Sequence, residues 1–486
     1  MTRIFSSFLI VGLFWAAALS CTAQRQTEYK TVKILTTTGD RTQELTESTA
    51  GLLPTASYDR ASIVISPSQR YQTVYGFGAA LTGSTCYNLM QMTPENRRAF
   101  LTQTFSPSQG LGSSYVRISI GCSDFSLSEY TLCDKEGIEN FALTDEEKNY
   151  IIPILKEVLT INPQLKIIGS PWTAPRWMKV NSLSDLTTHN QWTSGQLNPK
   201  FYSDYAEYFA KWIEAMRDNG ITITALTIQN EPLNRGNSAS MYMGWEEQRD
   251  FIKQALGKTL QQHNLATKVY LFDHNYNYDG IESQKNYPTR ILEDAEAAKY
   301  VAGSAFHNYG GSADEITRVK NAFPDKEVIF TETSIGTWND GRNLSRRLTE
   351  DMEELGLRTL QNGCSAVLVW NLMLDEKGAP NREGGCKTCF GAVDIASNGY
   401  TQITRNSHYF VIGHLSAVIK PEAVRIGVKY QNMPTVHCLA FENPDKSIGV
   451  VLINKEKESH TLTLQVGNSK TTQTIPANAV VSLLIR

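Results

Sequence analysis

Short apolar runs alternate with longer amphipathic segments from about residue 70 to residue 412. Short, mostly apolar runs are typical of strands buried on both faces, and the segments between them repeat their apolar positions at helical spacing. The predicted strands are Thr73–Gly78, Tyr115–Ile120, Lys166–Ser170, Ala225–Gln229, Lys268–Asp273, Tyr300–Ala305, Glu327–Thr331 and Ser365–Trp370. Strands that alternate with helices in this number predict an α/β fold, a (β/α)8 TIM barrel. A doubly wound sheet would usually carry a glycine-rich phosphate turn after an early strand, and this sequence has none there.

From about Ser416 the pattern changes to strands of alternating polar and apolar residues, separated by turn residues. Without helices between them, such strands predict an antiparallel β-sandwich attached to the barrel. The predicted strands are Val424–Tyr430, Val436–Glu442, Ser447–Asn454, Thr461–Val466 and Ala479–Leu484. Because these residues are few for a whole sandwich, we expect the early segments Thr31–Thr37 and Ala61–Ser66 to complete it. The barrel then spans residues 71–412 and the C-terminal sandwich 413–486, while residues 22–70 contribute strands to the sandwich.

The first residues read as an export signal at 1–21. Arg3 supplies the positive end, and Phe8–Leu19 is an apolar run too short to span a membrane comfortably. Ala-Leu-Ser-Cys21 follows as a loose lipobox, in which Cys21 would carry lipid and become the first residue. The alternative is ordinary cleavage near Ala23, which would release a soluble secreted protein. Both readings predict an exported protein, with membrane contact only through lipid at Cys21.

Composition excludes some partners. The chain is 41% hydrophobic and 20% charged, as in ordinary globular proteins, and its formal net charge is −3. Nucleic-acid binding depends on clustered Lys and Arg that release counterions, and no such cluster is present. We therefore expect no nucleic-acid partner.

Eight cysteines are present. If Cys21 carries lipid, an odd number remains, so at least one thiol stays free or pairs elsewhere. Cys122 and Cys133 could pair across their loop. Cys386 and Cys389 resemble half a zinc site, but no second pair at ligand spacing accompanies them, which favours a local disulfide in an oxidising compartment. We expect no metal site.

Two glutamates follow predicted strands, where a barrel places its chemistry. Glu231 follows the fourth strand in Gln-Asn-Glu-Pro, and Glu332 follows the seventh in Thr-Glu-Thr-Ser. A single glutamate at such a point is usually solvated or caps a helix. Two of them suit glycoside hydrolysis, in which one carboxyl group protonates the leaving oxygen and the other attacks the anomeric carbon.

Several further motifs narrow this reading. They are GFGAALT at Gly76–Thr82, RISIGCSDFS at Arg117–Ser126, SPWTAPRWMK at Ser170–Lys179, FHNY at Phe306–Tyr309, WNLMLD at Trp370–Asp375 and GAPN at Gly378–Asn381. Together with the two glutamate motifs, they make the chain resemble glycoside hydrolase family 30, which includes glucosylceramidases, β-1,6-glucanases and xylan-cleaving enzymes. The resemblance implies a retaining glycosidase that acts on carbohydrate, has a sandwich beside its barrel and uses no cofactor.

The resemblance also implies roles for individual residues. Glu231 matches the acid/base and Glu332 the nucleophile, while Asn230 matches the residue that holds the sugar 2-hydroxyl. Tyr309 matches a phenol that hydrogen-bonds the nucleophile. His307 is its neighbour in the pocket, unless it is a buried core histidine. Burial beside a second, ionised carboxylate predicts a raised pKa for Glu231, as a general acid requires.

Asp124, Trp172 and Trp370 match residues that line the first sugar subsite. An aspartate accepts hydrogen bonds from hydroxyls, and indole faces cover the apolar C–H surface of a pyranose. Arg117 matches an arginine beside the catalytic pair, where it sets the charge balance, unless it only braces its strand.

One departure bears on the substrate. Glucosylceramidases have an Asn-Phe pair after the Gly-Pro-Asn loop, and here Arg382–Phe390 stands in that place. This polar loop favours the bacterial β-1,6-glucanase branch. A glucosylceramidase, another β-glucosidase or a β-xylosidase remains the alternative. A non-catalytic carbohydrate-binding lipoprotein is more remote, because it would be expected to have lost Asn230 or one of the two glutamates.

Overall fold

The computed structural model describes residues 29–54, 61–431 and 435–486. The predicted export signal, including Cys21, lies outside these ranges. None of the helices that the three ranges contain is both long and apolar enough to cross a membrane.

Eight parallel strands close into a barrel, which confirms the predicted fold. Their side chains are almost all buried, as their apolar sequences predict. The barrel strands are, in chain order, Gly76–Ala80, Tyr115–Ser119, Lys166–Ser170, Ala225–Thr227, Lys268–Asn275, Gly303–His307, Glu327–Glu332 and Ala366–Asn371. An apolar cluster with members from the second to the eighth strand fills the barrel interior. Polar groups can therefore gather only at the ends of the strands.

The first and sixth barrel strands differ from the prediction. Predicted strand Thr73–Gly78 spans two elements, because Val74 ends a sandwich strand and Gly76 begins the first barrel strand. Gly76 has a φ of 148°, a conformation that favours glycine, so the chain can change direction there. The sixth strand is Gly303–His307 rather than Tyr300–Ala305, which brings His307 to its end.

Helices follow the barrel strands and cover the outside of the barrel. The α-helices are Gly83–Gln91, Pro94–Phe105, Ile152–Ile161, Tyr202–Asp218, Trp245–Phe251, Gly257–Gln262, Tyr287–Leu292, Ala295–Ala298, Asp314–Ala322, Leu344–Asp351, Thr359–Gln361 and Ser407–Val418. Single π-helical segments, Glu147–Ile151, Ile252–Leu256 and Met352–Arg358, extend or join some of them. The helix Tyr202–Asp218 buries Tyr205, Phe209 and Trp212 against the barrel. Each such side chain contributes about 1.5–3 kcal/mol through burial.

The strands outside the barrel form a ten-stranded sheet and three small ones. The large sheet contains Thr31–Thr38, Thr46–Gly51, Leu53–Pro54, Ile63–Val74, Ala423–Tyr430, Val436–Glu442, Ile448–Asn454, His460–Val466, Ser469–Ile475 and Ala479–Ile485. The small sheets contain Lys179–Ser182, Asp185–Thr188 and Gln196–Leu197; Ile335–Gly336 and Cys389–Phe390; and Met373–Asp375, Val393–Ile395 and Ile403–Arg405.

The large sheet folds over on itself into the sandwich. Leu462 and Ile475 come from one end of the strand order and Val481 and Ile34 from the other, yet all four share one apolar cluster. The pairing is antiparallel, as predicted, except that His460–Val466 runs parallel to the long N-terminal strand. The sequence prediction missed three strands, among them Ser469–Ile475, whose polar threonines resemble a turn region.

The helix Ser407–Val418 lies between barrel and sandwich and contacts strands of both. The domain boundary predicted at residues 412 and 413 falls inside it. Buried His414 hydrogen-bonds Ser482 Oγ and Thr37 Oγ1, each at 2.9 Å, and so ties the helix to the sandwich.

Candidate active site

Ionisable side chains from five barrel strands converge at their carboxyl ends. Four of them lie on the second, fifth, sixth and seventh strands, and one lies in the turn after the fourth strand. They are Arg117, Asp273, His307, Glu332 and, in the turn, Glu231, and all are buried. A buried charge is stable only where partners compensate it, so the contacts among these groups determine what the site can do.

A strained turn places Glu231. The residue has a φ of 45°, which is uncommon for a residue with a side chain. The N–H of Glu231 donates to the carbonyl oxygen of Asp273 (3.0 Å), and the N–H of Asn230 donates to that of Pro171 (2.8 Å). Hydrogen bonds to the two neighbouring strands thus hold the turn and direct the carboxyl group towards the barrel axis.

The two predicted catalytic glutamates lie close together. One oxygen of Glu231 and one of Glu332 are within 4.8 Å of each other. Retaining glycosidases hold their carboxyl groups about 5–5.5 Å apart, whereas inverting enzymes need about 6.5–9.5 Å for an intervening water. The geometry therefore suits retention.

Glu332 is held from two sides. The guanidinium of Arg117 donates to Oε2, and the hydroxyl of Tyr309 donates to Oε1 at 3.1 Å. Burial raises the pKa of Glu332, and His307 and Arg117 oppose that rise. Because both oxygens are engaged, the carboxyl group has a fixed direction, as an attacking group needs.

Arg117 also orders its other neighbours. Its Nη2 donates to Asn230 Oδ1 (2.7 Å) and to Asp273 Oδ2 (2.8 Å), and its Nε donates to Ser170 Oγ (3.1 Å). Every one of these contacts is buried, so Arg117 connects the second, third, fourth, fifth and seventh strands. It lies where the resemblance places it.

Asp273 is a functional residue that the sequence reading missed. Phe272 and Asp273 have φ values of 71° and 66°, and the strand register shifts there, which marks a β-bulge. The bulge turns the Asp273 carboxylate into the site, where it also accepts from Thr227 and Thr331, each at 2.6 Å. The available signal was an aspartate that ends an apolar strand, as at Glu231 and Glu332.

His307 lies between two carboxylates and has no exposed surface. Its Nδ1 is 3.3 Å from Glu231 Oε1, and its Nε2 is 3.0 Å from Asp273 Oδ1. Burial alone would lower the pKa of His307, but Glu332, Asp273 and Glu231 together raise it to about 9. His307 therefore belongs to the site, and the surrounding carboxylates favour its protonated form.

The electrostatics of Glu231 differ from the prediction. Burial would raise its pKa, as expected from the sequence, but the contacts with His307 and Asn234 and the charge of His274 lower it to about 2. The side-chain amides of Asn234 and Asn237 both donate to Oε2 at 2.8 Å. The predicted raised pKa is wrong for this arrangement, because protonated His307 offsets the neighbouring carboxylates.

The residues predicted to line the first sugar subsite lie around this centre. Burial and the charges of Glu332 and Glu231 raise the pKa of Asp124 to about 8. Trp172 and Trp370 stack on each other at 5.1 Å between ring centroids and leave only 2% and 4% of their surface exposed. The Arg117 guanidinium lies about 5 Å from both rings. The two tryptophans form a packed floor, not the two open faces expected from the sequence.

The loop after the eighth strand stands at the mouth of the site. Arg382 is buried there, and its guanidinium donates to Ser123 O, to Glu129 Oε1 (both 3.0 Å) and to Ser238. It thereby joins the loops that follow the second, fourth and eighth strands. Arg382, Glu129 and Ser238 border a polar cavity of about 520 Å³. At Gly385 a Cβ would lie 2.4 Å from Asp124 O, so only glycine lets the loop approach this closely.

The cysteine predictions have mixed outcomes. Cys386 and Cys389 form the predicted disulfide in the mouth loop. Cys122 and Cys133, which could have paired across their loop, are both buried free thiols. The thiol of Cys133 points instead at the carbonyl oxygen of Gly137, 3.2 Å away.

One group of residues within the described ranges has metal-ligand geometry, namely Glu231, His307 and Glu332. It is the same centre, and Arg117 and protonated His307 already supply its positive charge. A cation there would meet both, which disfavours a metal ion.

Family comparisons agree with this geometry. The model of the glycosyl hydrolase family 30 TIM-barrel domain matches residues 74–419, and that of the family 30 beta sandwich domain matches residues 422–483. Endo-1,6-beta-D-glucanase of Neurospora crassa is 31% identical over 403 residues, 80% of each chain. Lysosomal acid glucosylceramidase of Mus musculus is 26% identical over 430 residues, 83% of this chain and 79% of that protein.

A solved structure of an endo-beta1,6-glucanase is similar with a TM-score of 0.92 and 57% sequence identity. The match covers 93% of this chain and 98% of that one. The family predicted from the strand-end motifs is confirmed: the chain belongs to glycosyl hydrolase family 30 and is a glycosidase.

Proposed function

We propose that the protein is a retaining β-1,6-glucanase in which Glu332 is the nucleophile and Glu231 the acid/base. The observation that carries the proposal is the 4.8 Å limit on the separation of their carboxyl oxygens at two strand ends. Direct attack on the anomeric carbon requires such a spacing, because no water lies between the carboxyl group and the sugar.

The reaction proceeds in two displacements. Glu332 attacks the anomeric carbon while the bond to the leaving oxygen breaks, and that oxygen takes the proton of Glu231. Glu231 then removes a proton from water, the water oxygen attacks the same carbon, and Glu332 leaves. Transfer of that proton from Glu231 to Nδ1 of His307 restores the starting state. Two inversions give net retention.

The proton that the leaving oxygen takes in the first step can come from His307 by way of Glu231. Glu231 has a low pKa beside protonated His307, and the two groups are 3.3 Å apart. As Glu332 forms its bond to the sugar it loses negative charge, which weakens the hold of His307 on its proton. Transfer from Nδ1 to Glu231 then supplies the acid.

The remaining site residues position the sugar. Asn230, fixed by Arg117, faces the 2-hydroxyl, and Asp124 accepts hydrogen bonds from hydroxyl groups farther round the ring. Tyr309 holds Glu332 in its attacking direction. Trp172 and Trp370 give the pocket an apolar floor.

The substrate is a β-1,6-linked glucan. The rim near Arg382, Glu129 and Ser238 is polar and offers little apolar surface, whereas a ceramide tail needs large hydrophobic contact. Two relatives of the chain, one 57% and one 31% identical, are endo-1,6-glucanases. The competing candidate is glucosylceramide, because the mouse relative is a glucosylceramidase.

We expect β-1,6-glucan to be cleaved at least about tenfold faster by kcat/KM than glucosylceramide, which is about 1.4 kcal/mol of transition-state binding. Product analysis on a linear β-1,6-glucan, a β-1,3-glucan, xylan and glucosylceramide measures this. Proton NMR of the first product gives the anomer, and retention predicts the β form. Faster turnover of the lipid or of xylan would reject the substrate and leave the catalytic roles standing.

Export completes the proposal. Arg3, the apolar run Phe8–Leu19 and Cys21 support a lipid-anchored protein of the cell envelope. We expect wild-type protein in membrane fractions and Cys21→Ala in soluble ones. A wild type that fractionates as fully soluble would contradict the anchor.

A further inference from the structure

Two exposed aromatic side chains share a cavity beside the nucleophile. Tyr309 and Trp338 are 43% and 53% exposed, and both line a cavity of about 310 Å³ that Thr333 and Ser334, directly after Glu332, also border. The other large hydrophobic side chains exposed in the described ranges lie on the sandwich or on the hairpin after the third barrel strand. These are Leu53, Tyr71, Tyr430, Leu183 and Leu186.

The turn that contains Trp338 holds its indole ring in an exposed position. The indole lies over Gly336, since a Cβ at that glycine would be 2.0 Å from the ring. The N–H of Gly336 donates to Asn339 Oδ1, and the N–H of Thr337 donates to Thr388 O, each at 3.0 Å. Thr388 lies between Cys386 and Cys389, so the disulfide loop braces the turn. The ring is thus held open to solvent by a rigid support.

An exposed indole beside a cavity can cover the apolar face of a sugar ring. Trp172 and Trp370 are stacked on each other and cannot offer broad faces to a sugar. Trp338 is the tryptophan with the largest exposed surface among those that the structure describes, and it stands beside the nucleophile strand.

We infer that Trp338 is a stacking platform for a second glucose unit, the one joined to the sugar that Glu332 attacks. The inference rests on the proposed function and adds a subsite to it. The indole face covers the apolar C–H face of that ring, and the nearby Tyr309 borders the same space. The cavity is also lined by Arg347, Asp351 and Glu354, but Arg347 pairs with Asp351 and Glu354 pairs with Arg358, so a neutral sugar meets charges that already have partners.

The test distinguishes an effect on binding of the second sugar from an effect on the chemical step. In β-D-glucosyl fluoride the leaving group is one atom, so turnover uses only the first subsite. We expect Trp338→Ala to lose about tenfold or more in kcat/KM on β-1,6-glucan and less than about twofold on the fluoride. Trp338→Phe retains an aromatic face and should recover most of the loss. Tyr71→Ala removes an exposed aromatic ring from the sandwich and should leave kcat/KM unchanged on both substrates.

Three outcomes would overturn the inference: equal loss on both substrates, no loss on either, or no recovery with Trp338→Phe. A wild type that turns over the fluoride but not β-1,6-glucan would reject the proposed linkage instead. The comparison is then made on whichever polymer the enzyme cleaves fastest, and the same three outcomes decide it there.

Discussion

Replacing Glu332 with Gln is expected to lower kcat on β-1,6-glucan by about four orders of magnitude or more. The amide keeps the volume and the contact with Tyr309, but it cannot form the covalent bond to the anomeric carbon. Steady-state kinetics measure the loss. A loss below about tenfold would reject Glu332 as the nucleophile.

Small nucleophiles distinguish the two glutamates. Azide can enter the space left in Glu332→Gly and attack the sugar directly, which gives an α-glycosyl azide by a single inversion. In Glu231→Gly the covalent intermediate still forms from β-D-glucosyl fluoride, because fluoride leaves without a proton, and azide then displaces Glu332 to give the β-azide. If Glu332→Gly gave the β-azide and Glu231→Gly the α-azide, the roles of the two glutamates would be reversed. Glu293→Gln, at an exposed residue that directly follows the helix Tyr287–Leu292, is the matched control and should leave activity unchanged.

The barrel was predictable because its strands are buried on both faces. Lys166–Ser170 has an apolar centre, Ile167–Gly169, and its observed bounds equal the predicted ones. Strand ends were harder, because Gly303–His307 finishes with a buried histidine that single-sequence patterning assigns to a loop. Ser469–Ile475 was missed for the opposite reason. Its threonines suit a strand but carry no apolar signal.

The candidate site could be predicted in part. Glu231 and Glu332 stand out since each follows an apolar run, and the fold brings the ends of those runs together. Asp273 was not identified, because its entry into the site depends on a bulge that patterning does not reveal. The low pKa of Glu231 was also unpredictable, since it depends on the 3.3 Å contact with His307.

Exposure is the other property that a motif does not carry. Trp172 and Trp370 stand in the motifs and are packed against each other, whereas Trp338 stands outside them and is open. Which indole is free to meet a sugar depends on neighbours from distant parts of the chain. Which tryptophans are buried and which is exposed therefore becomes visible only in the folded structure, where the barrel loops lie side by side.

Removing the Asp273 carboxylate is expected to lower both stability and activity. Asp273→Ala leaves Arg117 and His307 buried without their shared partner, and breaking a buried ion pair costs about 3–5 kcal/mol. Chemical denaturation measures the free energy of unfolding. The loss of kcat should exceed about a hundredfold, since Glu332 and Glu231 lose their fixed surroundings.

Two further variants give this prediction its controls. Asp273→Asn keeps an acceptor for Arg117 without the charge, so it should fall between the wild type and Asp273→Ala. Asp279→Ala removes a partly exposed carboxylate that contacts His274 at 3.2 Å, and its cost should be clearly smaller. Equal losses for Asp273→Ala and Asp279→Ala would contradict the central role of Asp273.

The pH dependence of stability tests the same network through His307. Folding raises the pKa of His307 from 6.5 to about 9, so its proton stabilises the folded state fully below pH 6.5. That stabilisation is lost as the pH rises through 9. In Asp273→Ala one of the carboxylates that raise this pKa is gone, so the loss should still begin near pH 6.5 but should finish at a lower pH than in the wild type. Unfolding free energies measured from pH 6 to pH 10 give both curves, and coincident midpoints would show that Asp273 does not hold the proton on His307.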